Sequence, residues 1–104
     1  MKENGFYIIL IREALSRIKC YAQDGREHFL QSTLVQDAVV RNFERIGDAA
    51  TKVSDEVKRQ YPDLPWQELA ALRKVLLYPD MQAVWNTVEF EVDKIQAAID
   101  RIAV

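Results

Sequence analysis

Apolar residues recur along the first part of the chain at the spacing of an amphipathic helix. They follow one another in steps of three or four residues: Ile8, Ile11, Leu15, Ile18 and Ala22. This spacing places all of them on one helix face. The pattern predicts a helix from about Phe6 to Ala22 that stops before Asp24-Gly25, a pair typical of turns.

A second, longer stripe follows a polar stretch. It consists of Val35, Ala38 or Val39, Asn42, Ile46, Ala49, Val53 and Val57. Ser32 or Thr33 offers a hydroxyl that could cap the start of this helix. We expect the helix to reach Gln60 and to end at Tyr61-Pro62, because proline supplies no backbone donor.

Two more stripes complete the pattern. Pro65 suits the first position of a third helix, and the last helix is expected after a break at Tyr78-Pro79-Asp80. The third stripe is Trp66, Leu69, Leu72 and Leu76, and the last is Met81, Val84 or Trp85, Val88, Val92, Ile95, Ile99 and Ile102. Four helices with short connections, and no strand, predict an all-α antiparallel bundle.

The third helix ends in an apolar run, Val75-Leu76-Leu77-Tyr78, without a polar residue. Such a run is expected to be buried, either in the core of the bundle or against a second copy of the chain. The sequence therefore favours a homodimer.

Composition and charge narrow the class of protein. With 104 residues, the chain suits one domain, residues 1–104, with a single core. No segment has the roughly 20 apolar residues of a membrane span, and no signal peptide is expected. The only cysteine, Cys20, favours a reducing cytoplasm. A net charge of −2 excludes nucleic-acid binding through bulk positive charge. The chain therefore either has a local basic cleft, or creates one by dimerising, or does not bind nucleic acid.

Two stretches of the sequence resemble a known family. The first, residues 37–50, reads DAVVRNFERIGDAA; the second, residues 64–74, reads LPWQELAALRK and is continued by DMQAVWNTV at residues 80–88. Both are similar, in the same order, to the HepT-like branch of the HEPN superfamily. The resemblance extends over essentially the whole chain.

The resemblance implies a four- or five-helix HEPN bundle that dimerises and is encoded beside a minimal nucleotidyltransferase antitoxin. Such proteins are toxins of type VII toxin–antitoxin pairs and act as metal-independent ribonucleases on tRNA, without a cofactor. Their signature is Arg-Asn, a few residues, then His-x-Tyr. A histidine that titrates near neutrality suits the proton transfers of RNA cleavage, and an arginine suits the charge that develops on phosphorus.

This chain departs from the family signature. Arg73 stands at the arginine position and is the expected catalytic residue, but Lys74 replaces the asparagine. Five residues after Arg73, where the histidine is expected, stands Tyr78. Counting back from Asp80 instead indicates a gap of about four residues in the family pattern. The only histidine, His28, lies far from Arg73 in the sequence, so the chain is expected to be inactive or weakly active.

Three origins would account for the missing histidine. The first is that the chain is a degenerate relative, and the second is that the motif was deleted deliberately. The third is that a loop of the natural protein is absent from this chain. Because the residues on both sides of the gap match the family, the pattern favours removal of the motif over gradual decay.

Each candidate site residue has a structural interpretation beside the functional one. Arg73 and Lys74 form either a phosphate-binding pair or two solvated cations at a helix C-terminus. In this family the antitoxin can transfer a nucleotide to the tyrosine of His-x-Tyr, which makes Tyr78 a candidate nucleotidylation site; otherwise it packs at a turn. Arg41 and Asn42 are candidates for supporting the site or binding RNA.

A buried Asn42 needs hydrogen-bond partners and could position the loop after Arg73 or determine the dimer register. Glu44 is interpreted as an ordinary helix-surface charge paired with Arg41 or Arg45. Trp66 and Trp85 are expected to anchor the core or an interface.

His28 is expected in a solvated loop, and one histidine with one cysteine gives no metal site. The rival to a nuclease is a non-catalytic helical module that binds a nucleotidyltransferase partner.

Overall fold

The computed structural model describes residues 2–72 and 80–103. Within these two ranges the chain is helical and has no strand, so the predicted all-α bundle is confirmed. The helices are α1 (Lys2–Tyr21), α2 (Arg26–Gln31), α3 (Thr33–Lys52), α4 (Asp55–Gln60), α5 (Trp66–Ala71), α6 (Met81–Phe90) and α7 (Val92–Asp100).

The centre of the bundle is the pair of long helices, α1 and α3. The ammonium group of Lys52, at the end of α3, lies 5.9 Å from the centre of the Tyr7 ring near the start of α1, so the two helices run antiparallel. The predicted stripe of α1 is buried throughout its length, as is the stripe of α3 from Val39 to Val53. Burial of apolar surface from both helices supplies most of the driving force for folding.

The predicted second helix is wrong in one respect, because it is two helices rather than one. The chain leaves α3 at Val53, whose backbone is extended (φ −70°, ψ 137°). A new helix, α4, then begins after its N-cap residue Ser54, whose Oγ accepts a hydrogen bond from the amide of Val57 at 3.3 Å. The cap explains the break, since a serine hydroxyl satisfies an amide that a new helix leaves free.

The connection after α1 contains a short helix that the sequence pattern did not predict. Gly25 has a positive φ of 93°, a conformation that glycine adopts at no steric cost, and α2 starts directly after it. Phe29 of α2 is completely buried, and its ring lies 5.4 Å from that of Trp85 on α6. This aromatic contact holds α2 against α6.

The last predicted helix is also divided. A turn at Glu91 separates α6 from α7, although its amide still bonds to the carbonyl of Thr87 at 2.9 Å. The predicted inner face is confirmed across the division, because Val84, Trp85, Val92 and Ile95 are all buried.

An arginine of α1 holds the end of α7. Nη2 of Arg12 donates hydrogen bonds to the carbonyl oxygens of Ile99 at 3.2 Å and Ile102 at 2.5 Å. Its Nε lies 3.3 Å from Oδ1 of Asp100, without the alignment of a hydrogen bond. The carbonyl of Ile99 also accepts from the amide of Ile102 at 3.0 Å, so Arg12 adds a second donor there and binds the carbonyl of Ile102 just beyond the end of α7. A cation is favourable at a helix C-terminus.

The third predicted helix begins one residue later than expected. Pro65 is the N-cap of α5 rather than its first residue, and Trp66 and Leu69 are buried as predicted. The apolar run Val75–Tyr78 and the break at Pro79 lie outside the described residues.

Candidate functional site

The residues of the predicted catalytic motif are not among those that the structure describes. Arg73, Lys74 and Tyr78 lie outside the described ranges, so their predicted roles stay predictions. The residues on either side are described. Leu72 is the C-cap of α5, and Asp80 caps α6 by accepting a hydrogen bond from the amide of Gln82 at 3.0 Å.

Asn42, predicted to be buried, is only 3% exposed. Its Nδ2 donates to the carbonyl of Ala38, one turn earlier in the same helix, at 2.8 Å. Its Oδ1 is buried and accepts no hydrogen bond from any described residue. A buried oxygen without a donor lowers stability, so packing alone does not account for an asparagine at this position.

Arg41 lies on the outer side of α3, away from the core, and is exposed. With Glu44, Arg45 and Asp48 it lines a shallow depression of about 300 Å³ on the helix surface. The expected pairing of Glu44 with Arg41 or Arg45 is wrong, because no ion pair joins them in the structure. Adjacent helix residues do not face each other, which excludes a close contact with Arg45.

Arg45 and Asp48 were not among the predicted site residues. Their signal in the sequence is the four-residue and seven-residue spacing from Arg41, which places all three on the outer side of α3. The spacing is easily overlooked because charged residues on a helix surface are common.

A groove of about 490 Å³ runs between α1 and α3 beside this charged side. Its apolar wall includes Phe6, Tyr7 and Leu10, and its polar wall includes Arg17, Arg45, Asp48 and Lys52. The Lys52 ammonium lies 3.2 Å from Oδ2 of Asp48. The groove therefore combines an apolar surface with charges of both signs.

His28 lies in α2 and not in a loop, which corrects the prediction, although it is exposed as expected. Its ring makes no hydrogen bond or ion pair with another described residue. A histidine that acts as a general acid or base is normally oriented by a neighbouring group within hydrogen-bonding distance. The structure shows no such group for His28 in the part of the chain that it describes.

The two tryptophans are core anchors, as predicted. The indole Nε1 of Trp66 donates to the carbonyl of Tyr61 at 2.9 Å, and that of Trp85 donates to Oε2 of Glu89 at 3.0 Å. Trp66 is 9% exposed, which leaves little of its ring for stacking on a base.

One exposed ion pair outside α3 shifts the pKa of a carboxyl group. Asp63 accepts two hydrogen bonds from the guanidinium of Arg101, at 2.7 and 3.1 Å. These bonds lower the pKa of Asp63 from its ordinary value of 3.8 and raise the pKa of Arg101. The pair joins the turn after α4 to the end of α7.

Within residues 2–72 and 80–103, no three His, Cys, Asp or Glu side chains come together in a way that could hold a metal ion. In the same residues no helix has the length and apolar character needed to cross a lipid bilayer.

The family model and the relatives that match this chain all point to one family of ribonucleases. Residues 11–102 match the model of a protein family described as ribonuclease HepT-like. The chain is 29% identical to the "Probable ribonuclease HepT" of Thermococcus cleftensis, with 92% of each chain covered. It is 31% identical, over 97% of its length, to a "Gamma-glutamylcyclotransferase and putative RNase" of Methanocaldococcus jannaschii.

The relatives differ in length. The chain spans 48% of the cyclotransferase relative. It spans 66% of a second Methanocaldococcus jannaschii protein, named as a "Putative RNase", to which it is 32% identical over 73% of its own length. No solved structure matches the chain.

Proposed function

Because the chain belongs to the HepT-like ribonuclease family, we propose that it is the toxin-type subunit of a type VII toxin–antitoxin pair. The antitoxin is a minimal nucleotidyltransferase, and the intact toxin is a homodimeric, metal-independent ribonuclease that acts on tRNA in the cytoplasm. In this chain the Arg-Asn-x-x-x-His-x-Tyr motif is truncated, and we propose that the chain does not cleave RNA. The proposal follows the resemblance of residues 37–50 and 64–88 to the family.

The observation that carries the proposed inactivity is the position of the only histidine. His28 lies on α2, is exposed, and contacts no described acid that could orient it. Arginine and lysine stay protonated at neutral pH and are poor general bases. Arg73 and Lys74 can therefore bind phosphate but cannot replace the histidine in removing the proton from a ribose hydroxyl.

The first experiment measures tRNA cleavage by the purified chain, without added metal. No cleavage above a buffer control is expected. Cleavage that survives in a His28→Ala variant would overturn the proposed need for a histidine. Cleavage that is lost in that variant would make His28 the base and overturn the proposed inactivity.

The second experiment restores the motif. A variant that carries Arg-Asn-x-x-x-His-x-Tyr between Leu72 and Asp80 is expected to cleave tRNA and to inhibit growth of the host cell. The matched control carries the same inserted residues with alanine in place of the inserted histidine. If the restored variant and the control are equally inert, the proposal of a nuclease scaffold is wrong.

Tyr78 is proposed as the residue that the antitoxin modifies. The chain, the adjacent nucleotidyltransferase, ATP and Mg²⁺ would be incubated together, and the intact mass of the chain measured. Attack of the tyrosine hydroxyl on the α-phosphate of ATP releases pyrophosphate, so an increase by one adenylyl group is expected, and it should be absent in Tyr78→Phe. An unchanged mass with an active nucleotidyltransferase would contradict this role.

A second candidate is a non-catalytic module that only binds the nucleotidyltransferase. It is favoured by the single hydrophobic core that the described residues, 2–72 and 80–103, form from α1 to α7, because binding a partner requires a stable bundle and no catalytic motif. This candidate predicts that the chain forms a complex with the nucleotidyltransferase while the variant with the restored motif stays inert.

A further inference from the structure

The outer side of α3 carries charges in an order that is complementary to itself. Its charged residues alternate in sign along the chain: Asp37, Arg41, Glu44, Arg45, Asp48 and Lys52. When the first is matched with the last and so on inward, every match joins opposite charges. The centre of this pattern lies between Glu44 and Arg45.

Two-fold symmetry would convert this order into contacts. In a dimer with a two-fold axis, a residue of one copy contacts a second residue of the other copy, and the reverse contact occurs as well. Two α3 helices that pack antiparallel about the centre of the pattern bring Arg41 opposite Asp48 of the second copy, twice. The same arrangement brings Asp37 towards Lys52 of the second copy, also twice.

We propose that the outer side of α3 is a homodimer interface, in which two copies pack this helix antiparallel about an axis between Glu44 and Arg45. The proposal specifies the surface of the dimer that forms part of the proposed function. It concerns assembly alone and does not depend on ribonuclease activity.

Helix geometry lets Arg41 and Asp48 face each other directly across the proposed axis. They are seven residues apart, which is close to two turns at about 3.6 residues per turn, so both side chains lie along one line of α3. Both are exposed, and both line the shallow depression of about 300 Å³. The depression is therefore at the place where the two helices would meet.

Among the residues that the structure describes, most charges on this side make no ion pair within one copy. Asp37 and Arg41 have the four-residue spacing that often gives an ion pair along a helix, yet the structure shows no ion pair between them. The pair that does form on this side, between Asp48 and Lys52 at 3.2 Å, leaves both residues exposed. Four charges thus remain available to a second copy.

Apolar residues lie at the two ends of the same surface. Leu34, at the start of α3, is 81% exposed, and Phe6, beside the end of α3, is 58% exposed. Antiparallel packing brings Leu34 of the second copy to the Lys52 end of α3, where the groove between α1 and α3 opens. Leu34 can enter this groove against Phe6, Tyr7 and Leu10, and burial of such anchors gives an interface much of its affinity.

The test is a charge exchange, measured as the dimer dissociation constant by sedimentation of the full chain. The wild type is expected to dimerise. Arg41→Asp and Asp48→Arg each create two like-charge contacts, which should weaken the dimer roughly 10- to 100-fold. The double variant restores opposite charges and should dimerise to within about 3-fold of the wild type, a difference below 1 kcal/mol.

Mixing the two single variants gives a sharper result. In a dimer of Arg41→Asp, two acids would face each other at both contacts between positions 41 and 48. In a dimer of Asp48→Arg, two bases would do so. Neither variant should therefore pair with itself. Together they should form a one-to-one heterodimer, which native mass spectrometry resolves from either homodimer. Only an antiparallel two-fold contact between positions 41 and 48 predicts this outcome.

Two further variants separate the surface from general effects. Lys94→Asp changes the charge of an exposed residue on α7 and should leave dimerisation unchanged. Leu34→Ser removes the apolar anchor without changing charge and should weaken the dimer. Circular dichroism of each variant establishes that the helices are retained.

Each outcome decides a different statement. A stable interface has a dissociation constant below about 100 μM. A wild type that is still monomeric at that concentration would overturn both the surface and the dimer of the proposed function. A dimeric wild type with dimeric single variants, or no heterodimer on mixing, would overturn the surface alone. The proposals about RNA cleavage are tested separately by the restored motif.

Discussion

The two sides of α3 follow different physical rules. Apart from Asn42, the inner side is apolar from Val39 to Val53, and it packs against α1 and α5. The outer side carries alternating charges, most of which are exposed in a single copy. The inner side is constrained by volume, because a packed interior has no space to rearrange. The outer side is constrained by sign, so single substitutions there should affect assembly far more than folding.

The largest expected effect is on the inner side. Ile46 is fully buried, and Ile46→Ala should lower the free energy of unfolding by about 3 kcal/mol, through lost apolar burial and the cavity left behind. The matched control is Ile9→Ala on the exposed side of α1, which should cost less than about 1 kcal/mol. Urea unfolding at one fixed protein concentration measures both; equal losses would contradict the distinction between buried and exposed sides.

The second effect concerns the contact between α1 and α7. Arg12→Ala leaves the carbonyls of Ile99 and Ile102 without their side-chain donor and should cost about 2 kcal/mol. Arg12→Lys keeps the charge but has one nitrogen on a shorter side chain and loses the contact of Nε with Asp100, so it should recover only part of the loss. Hydrogen exchange of the α7 amides would show whether the loss is local; unchanged protection there would contradict the role given to Arg12.

The third effect has the opposite sign. Asn42 buries an oxygen that has no donor among the described residues, so Asn42→Leu, which keeps the branched shape, should raise the free energy of unfolding by about 1 kcal/mol. Asn42→Asp would bury a charge at the same place and should destabilise the protein. Thermal unfolding of both variants measures the difference. A destabilised Asn42→Leu would mean that the oxygen has a partner in the assembled protein.

The smallest effect concerns pH. The pKa of Asp63 is lowered in the folded protein by the hydrogen bonds from Arg101. The stabilisation from this pair is therefore present above the pKa of the unfolded chain, about 3.9, and is lost as the pH falls through the lowered folded value. Asp63→Asn should melt slightly below the wild type at neutral pH and no differently in strong acid. A difference that persists in strong acid would contradict this assignment.

Much of the fold could be predicted because apolar periodicity reports burial directly. The stripe of α1, from Ile8 to Ala22, is buried as expected. The same signal does not detect a break that preserves the period. Val53 and Val57 are four residues apart and both buried, so the stripe continues across the start of α4. Ser54 with Asp55 and Glu56 behind it is a start signal that the continuous stripe concealed.

Short elements and the site were harder to predict. A six-residue helix such as α2 contributes one buried residue, Phe29. A single apolar residue gives no repeating spacing from which a helix could be predicted. Asn42 was correctly predicted to be buried because it occupies an apolar position, but its unpaired oxygen depends on the surrounding atoms, which no pattern in the sequence reports. The opposite-charge order of α3 is visible in the sequence, but it becomes meaningful only once the helix is known to expose that side.

The hydrogen bonds from Arg12 to Ile99 and Ile102 have a consequence for synthesis on the ribosome. The two carbonyls are 87 and 90 residues away along the chain. A ribosome that adds about 5–20 residues per second needs several seconds to reach Ile102 after Arg12. During that interval α1 has no partner in α7, and the bundle closes only after Ile102 has left the ribosome. A nascent chain is therefore exposed to chaperones and proteases for longer than a protein whose contacts are local.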